Sequence, residues 1–301
     1  TGATGLLGSA IAALDSKHII VACTREQADL RNFEEVVNFF AHSKPDAVIH
    51  TAALVGGIGG NTMKSGEYFH GNTLINLNVL EAARLAGITN LISYMSTCVF
   101  PDRATYPLTV DQLHNGPPHV SNFGYAYSKR VLEVQTRAYN QQWGTSFKTL
   151  VPANMYGPHD NFNLSEGHVV PALIHKIFLA KRAGESLEVW GSGKPLREFV
   201  FSRDIAKLSL MFAELDRVEN PVILTSGIES SIRQLVETIA EMMRFEGNLI
   251  WQPDKPDGQF RKPSSTNSLA EHDSSFEFTS LSDGLAETIQ WFYDAYPNIR
   301  S

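Results

Sequence analysis

Tyr125 and Lys129 stand four residues apart in "YAYSK", so on a helix they share one face. A lysine ammonium beside a phenol stabilises the phenolate, which makes such a tyrosine a general acid able to work near neutral pH. Upstream, "MSTC" closes an apolar run with Ser96, whose hydroxyl at a strand end can hold a carbonyl oxygen. Cys98 follows two residues later, on the same side of an extended chain. Taken singly, each has a plainer reading: Tyr-x-x-x-Lys is common, and an isolated cysteine is usually core.

A second group lies at the N-terminus. Gly2, Gly5 and Gly8 in "TGATGLLGSAI" have the spacing of a turn that admits a pyrophosphate. The turn leads into "LLGSAIAAL", an amphipathic helix whose first amides and dipole favour an anion. Arg25 in "TREQADL" falls where such folds recognise the adenine ribose; a guanidinium there favours a 2′-phosphate, hence NADP over NAD, unless it is simply a solvated loop charge. Asp29 can accept a hydrogen bond from the adenine amino group or cap a helix beginning near Asn32.

The elements that must position these groups follow from the apolar pattern. "HIIVAC" (18–23), "DAVIHTAA" (46–53), "NLISYMST" (90–97), "SFKTLVPANMYGP" (146–158) and "PVILTSG" (221–227) read as strands. Between them "NFEEVVNFFAHS", "TLINLNVLEAARLAG", "YAYSKRVLEVQTRAYNQQWG" and "SIRQLVETIAEMMRF" read as helices, with Gly87 a C-terminal cap. Another helix runs from Val169 to about Ala183 with Gly184 as its cap, and "LSDGLAETIQWFYDAY" closes the chain. "LEVWGSGKPLREFVFSRDIAKL" carries hairpin-like turn signals and then leads through a strand into a helix. Strands alternating with helices imply right-handed βαβ units and an α/β, doubly wound parallel sheet, with a smaller mixed α/β lobe over the C-terminal strand ends. We expect residues 1–155 with about 198–222 to form the dinucleotide domain, and about 156–197 with 223–301 the substrate lobe. A glycine turn of this kind normally follows a buried central strand, and nothing precedes Thr1; we therefore expect the sequence to be an N-terminally clipped record of a longer protein.

Composition narrows the function classes. The chain has 301 residues, 43% apolar and 19% charged, and a formal net charge of −7, which argues against general binding to nucleic acid or anionic membranes. No apolar run approaches the length of a membrane span, and no signal-peptide pattern is present. Two cysteines, Cys23 and Cys98, are too few for a disulfide scaffold and fit a reducing cytosol, so a cytoplasmic location is expected.

With glycine turn, strand-end serine and Tyr/Lys helix in this order, the chain resembles the extended short-chain dehydrogenase/reductase superfamily, Rossmann-type enzymes of the NAD(P) class. "AALVGGIGGN", "STCVFP", "HNGPPHVSNFGYAYSKR", "YGPHDNF", "GHVVPALIHK", "VWGSGKPLREFV" and "DGQFRK" narrow the resemblance to the GDP-L-fucose synthase family of GDP-4-keto-6-deoxymannose 3,5-epimerase-4-reductases. The resemblance runs from residue 1 to Lys262. It implies NADP(H) as cofactor, no metal, and hydride delivery to the C4 ketone of the nucleotide-sugar. Tyr125 would protonate the alkoxide, Lys129 would tune it and bind the nicotinamide ribose, and Ser96 would orient the ketone. Ala52 and Ala53 would line the cofactor.

Epimerisation at C3 and C5 comes first, because the ketone is what acidifies those C–H bonds; it needs a base on one face and an acid on the other. Cys98 fits the base and His168 the acid; outside "GHVVPAL", a capping or surface role would be the default for this histidine. Arg197 and Lys262 are candidates for sugar-hydroxyl or phosphate contacts, and Asn154 resembles a position near the substrate. Trp190 packs on sugar or guanine, or is core, and Asp204 is expected to cap its helix rather than touch ligand. Some relatives carry an arginine inside the glycine turn where this chain has Thr4, so NADP preference leans on Arg25. Helices holding Asn72–Ala86 and Tyr127–Tyr139 would pair two subunits as a four-helix bundle, giving a homodimer. The rival readings are an NAD-retaining nucleotide-sugar 4-epimerase or 4,6-dehydratase, and a non-catalytic NADP sensor. The dehydratases bring a carboxylate pair after the strand-end threonine, which "STCVFP" lacks; the sensors usually lose the Tyr/Lys pair, which is kept here.

Overall fold

Alternation in "NLISY" sends Leu91 to one face of a sheet and Ile92 and Tyr94 to the other, and each face collects its own helices. The computed structural model describes residues 1–300 apart from 220 and 256. Along the chain run α1 (Leu6–Ala12), α2 (Phe33–Ser43), β1 (Val48–His50), α3 (Ile58–Met63), α4 (Ser65–Leu85), β2 (Asn90–Tyr94), α5 (Phe123–Trp143) and β3 (Ser146–Pro152). They continue with β4 (Asn154–Tyr156), α6 (Val169–Ala183), β5 (Leu187–Trp190), β6 (Leu196–Phe201), α7 (Ser202–Glu214) and β7 (Val222–Leu224). The last are β8 (Glu229–Ser231), α8 (Ile232–Met242), β9 (Leu249–Gln252), α9 (Asn267–Ala270) and α10 (Leu281–Ala295).

The principal sheet is parallel throughout, in the order β1-β2-β3-β7. On one face Val36 and Phe40 of α2, Val79 and Leu80 of α4 and Leu132 of α5 close over Leu91 and Phe147. On the other, Leu7 and Ile11 of α1 and Ile205, Leu208 and Phe212 of α7 close over Ile92, Tyr94 and Leu150. Helices on both faces make the sheet doubly wound. A further core gathers Tyr156, Phe162, Ile174, Phe201, Leu235 and Phe292, beneath two small sheets, β4-β6-β8 and β5-β9.

Three expectations need correction. Residues 18–23 form no strand: among the described residues no ladder pairs with their backbone, and Ile19 is 93% exposed. On the free side of β1 it is Thr1 that docks, its amino group donating to the Ile49 carbonyl at 2.8 Å and Thr51 N–H donating to the Thr1 carbonyl. The hairpin signals between β5 and β6 mislead as well. β5 pairs in parallel with β9, while β6 runs parallel to β4 and antiparallel to β8. The glycines between them (φ +83 at Gly191, +74 at Gly193) instead make a loop held by Asp257, which accepts from the Ser192 N–H and hydroxyl at 2.7 Å each. Finally, α4 begins at Ser65 rather than near Thr73; its first turns, "SGEYFHGN", lack an apolar period, and Gly71 there lets Leu54 approach, since a Cβ would meet Leu54 Cδ1 at 2.5 Å.

Candidate active site

The floor of the site is the C-terminal end of β2. Met95 N–H donates to the Leu150 carbonyl at 2.8 Å, and the chain then leaves the sheet. Ser96, still extended, accepts the Cys98 N–H on its hydroxyl at 3.4 Å and so caps a single 3₁₀ turn, Thr97–Val99. The expected extended run through Cys98 is therefore replaced by this turn; the serine that was to orient a ketone also folds the segment carrying the thiol. Arg130, only 6% exposed, fastens the turn from α5: Nε donates to the Val99 carbonyl and Nη1 to the Gly116 carbonyl, both at 2.8 Å. Reading the sequence did not single out Arg130, although it directly follows the lysine of "YAYSKR".

Tyr125 and Lys129 lie one turn apart on α5, with Lys129 Nζ 5.8 Å from the Tyr125 ring centroid and Lys129 almost wholly buried. Burial lowers the Lys129 ammonium to about 8. The Tyr125 phenol is raised, by burial first and by the neighbouring Cys98 second. Both causes raise it, so the expected lowering of the phenol is not seen and Tyr125 stands as a protonated acid.

Cys98 is a free, half-buried thiol. Burial raises it, while Lys262, the Ser96 contact and Lys129 pull it back. The charge of Lys262, far along the chain in "FRK", thus reaches Cys98, and Lys262 is itself lowered by burial with Arg197 adding to the effect. Burial also lowers Arg197, whose Nη1 donates to the Leu196 carbonyl at 2.7 Å. The structure brings Cys98, Tyr125, Lys129, Lys262 and Arg197 into one electrostatic neighbourhood.

His168 belongs to the other flank, with Asp160. It occupies the N-cap position of α6 but makes no capping hydrogen bond, so the ring is free for other work. Nδ1 lies 3.8 Å from Asp160 Oδ1, and 47% of the His168 side chain is exposed. Burial pulls the imidazole down, Asp160 pulls it up by more, and Arg300 opposes; the net direction is up.

At the cofactor end the three glycines differ in what they do. A Cβ on Gly2 (φ +70) would lie 2.6 Å from Ala52 N, and one on Gly8 2.1 Å from the Gly2 carbonyl, so both are required by the packing of the turn against Ala52 and against itself. At Gly5 the nearest atom would be 3.4 Å away; its bareness leaves space for a bound group, as a dinucleotide pyrophosphate needs. Beside the turn a cavity of about 450 Å³ is lined by Thr4, His159, Trp291 and Arg300. The segment after Ala53 is held by buried Asn72, which donates to the Leu54 carbonyl at 2.9 Å and accepts its N–H at 2.7 Å.

Arg25 is 77% exposed and 3.9 Å from Asp29. Asp29 does not cap α2, because Asn32 does, accepting the Glu34 N–H. Its carboxylate is taken by Arg31, whose Nε donates at 2.9 Å and which holds Asp29 down at about 2. Arg31 is thus a second cation at this edge that the sequence reading missed.

Of the remaining substrate candidates, Asn154 donates to the Glu198 carbonyl at 2.7 Å, joining β4 to β6. Trp190 is 68% exposed, with Lys255 Nζ 5.6 Å from its ring centroid, so it is not core. Asp204 touches no expected ligand group but neither does it cap α7: fully buried, it accepts from Thr279 N–H at 2.7 Å and its hydroxyl at 2.9 Å.

The model of the NAD dependent epimerase/dehydratase family matches residues 1–224. The chain belongs to this family. Members similar to it over their full length include the GDP-L-fucose synthase of Dictyostelium discoideum, 40% identical with 100% of this chain and 96% of the relative covered. The GDP-L-fucose synthase of Escherichia coli (strain K12) is 33% identical, with 99% and 97% covered. Among solved members of the family, a GDP-L-fucose synthetase from Naegleria fowleri superposes with a TM-score of 0.92 at 37% identity, covering 100% of this chain and 94% of that one, and has also been solved bound to NADP. Among the described residues no helix is long and apolar enough to cross a membrane.

Proposed function

We propose that the protein converts GDP-4-keto-6-deoxymannose to GDP-L-fucose by 3,5-epimerisation followed by NADPH-dependent reduction of the C4 ketone. The observation that carries this reading is the meeting of a thiol, a phenol and two lysines near the end of β2, with a carboxylate-paired histidine elsewhere in the same chain, in a sequence similar end to end to GDP-L-fucose synthases. NADPH, when bound, supplies the hydride; Gly2, Gly5, Gly8, Ala52 and Ala53 form its cradle, and Arg25, joined by Arg31, favours the 2′-phosphate.

Cys98 in its thiolate form removes the proton from C3 and C5, helped by the positive field of Lys262 and Lys129. His168 as imidazolium returns a proton on the opposite face. Ser96 then holds the C4 oxygen, and Tyr125 gives its phenolic proton to the alkoxide formed there, with Lys129 at its side. Arg197 and Lys262 grip the diphosphate, Asn154 contacts the sugar, and Trp190 offers an exposed ring for guanine or sugar. The dinucleotide belongs to the lobe of residues 1–155 with about 198–222, the nucleotide-sugar to the remainder; the working unit is a cytoplasmic homodimer paired through α4 and α5. Purified protein given NADPH and GDP-4-keto-6-deoxymannose is expected to consume the cofactor and yield GDP-L-fucose. Absence of NADPH oxidation overturns the reading.

A further inference from the structure

Asp160, in "YGPHDNF", has no part in the chemistry above, yet its surroundings call for a cation. The residue is 4% exposed. Its Oδ1 accepts the Asn161 N–H at 2.7 Å, while Oδ2 is buried without a hydrogen-bond partner among the described residues. A buried carboxylate left so is costly unless a positive charge stands beside it. The backbone arranges for one. His159 is left-handed (φ 64) immediately before Asp160, and Gly167 sits so tightly before His168 that a Cβ would strike the carbonyls of Asn161 and Asn163 at 2.5 Å. The loop closes on itself, Gly167 N–H donating to the Asn163 carbonyl at 3.0 Å, and His168 Nδ1 arrives 3.8 Å from Asp160 Oδ1. That is ion-pair range, and the N-cap position leaves the ring uncommitted to the helix.

We propose that Asp160 is a positioning residue for His168, turning Nδ1–H toward the carboxylate and holding the ring as imidazolium, so that Nε2–H is presented to the sugar carbon. The inference rests on the reading of His168 as proton donor. In the step itself the Nε2–H bond breaks and a C–H bond forms with the electron pair of the enolate; the ketone re-forms and the imidazole is left neutral. A solvent proton then recharges His168, and water accepts the proton held by Cys98, which is why solvent isotope enters the sugar. Two charges bear on His168 from the elements around it, Asp160 favouring the cation and Arg300 opposing it, and the balance falls to Asp160.

The test is an NMR titration of the His168 ring, assigned with His168→Gln, on the full chain. In Asp160→Asn the midpoint is expected to fall by about one pH unit, and solvent-deuterium incorporation above that midpoint by about tenfold, because the imidazolium fraction falls in proportion. Asp160→Glu should recover both, and NADPH binding should be unchanged. Arg300→Met should move the midpoint the other way, which keeps the pairing testable if Asp160→Asn does not fold. An unmoved midpoint overturns the proposal. A moved midpoint with unchanged deuterium incorporation overturns the positioning role, and His168 as donor with it. Lack of turnover by the unaltered enzyme would strike the functional reading alone, since the titration is read without substrate.

Discussion

Cys98 and His168 sit on two flanks that the same physics treats in opposite senses. At Cys98, burial favours the neutral thiol, and the charges around it, Lys262 and Lys129, favour the anion. At His168, burial again favours the neutral form, and the nearest charge, Asp160, favours the cation. Each group has a neighbour that favours its charged state, but the balance differs: at His168 Asp160 outweighs burial, whereas at Cys98 the lysines offset burial only in part and the thiol stays raised. A base is needed in the first form and a proton donor in the second, so the sign of the neighbouring charge, more than the residue type, separates the two roles. The flanks also differ in build. Cys98 is held by a capped single turn clamped by buried Arg130, whereas His168 depends on a loop tied back by the ion pair of Lys64 with Glu166 at 2.7 Å.

The largest effect that could break this contrast is at the thiol. Cys98→Ser should lower solvent-deuterium incorporation at C3 and C5 by at least about 100-fold, with a smaller loss of hydride transfer to an already epimerised ketone; equal losses would remove Cys98 as base. Lys262→Met should raise the Cys98 thiol by about one pH unit. Less thiolate at neutral pH then means about tenfold slower exchange, partly recovered as the pH is raised; an unaltered pH dependence would show that the lysine acts on binding alone. Arg31→Ala is the control for both flanks. It should raise the KM for NADPH by about tenfold, as the loss of a charge-assisted contact allows, and leave the KM for NADH and deuterium exchange unaffected. Reduction, unlike exchange, should decline as the pH rises through about 8, where Lys129 loses its proton. Smallest is Lys64→Met: a solvent-screened pair of this kind contributes little, so Tm should fall by only a few degrees, with any loss of exchange following the loop that carries His168.

How far the site was legible depended on whether a residue's partners were near it in sequence. Tyr125 and Lys129 were found because helical periodicity alone puts them together, and Gly8 because the turn folds against its own Gly2 carbonyl, whereas the crowding of Gly2 against Ala52 comes only from the fold. Arg130, Asn72 and Asp160 were not given roles, since their work consists of contacts to groups that only the fold brings close: the Val99 carbonyl, the Leu54 backbone and His168. The strand expected over residues 18–23 failed for a related reason. Its apolar residues suit a sheet, but a strand is defined by a paired neighbour, and among the described residues none pairs with it.

The sequence by itself determined the alternation of parallel strands and helices, the chemistry available from Tyr125, Lys129, Cys98 and His168, and the crowding within the turn that demands glycine at position 8. These are consequences of local periodicity, residue type and steric size. Only the tertiary structure decided the electrostatic state of each group: that burial and Cys98 raise the Tyr125 phenol, that Lys262 reaches Cys98, and that Asp160 reaches His168. The reason is physical. Desolvation and charge act through space, and the distances that set them are fixed when the loops close over the ends of the strands.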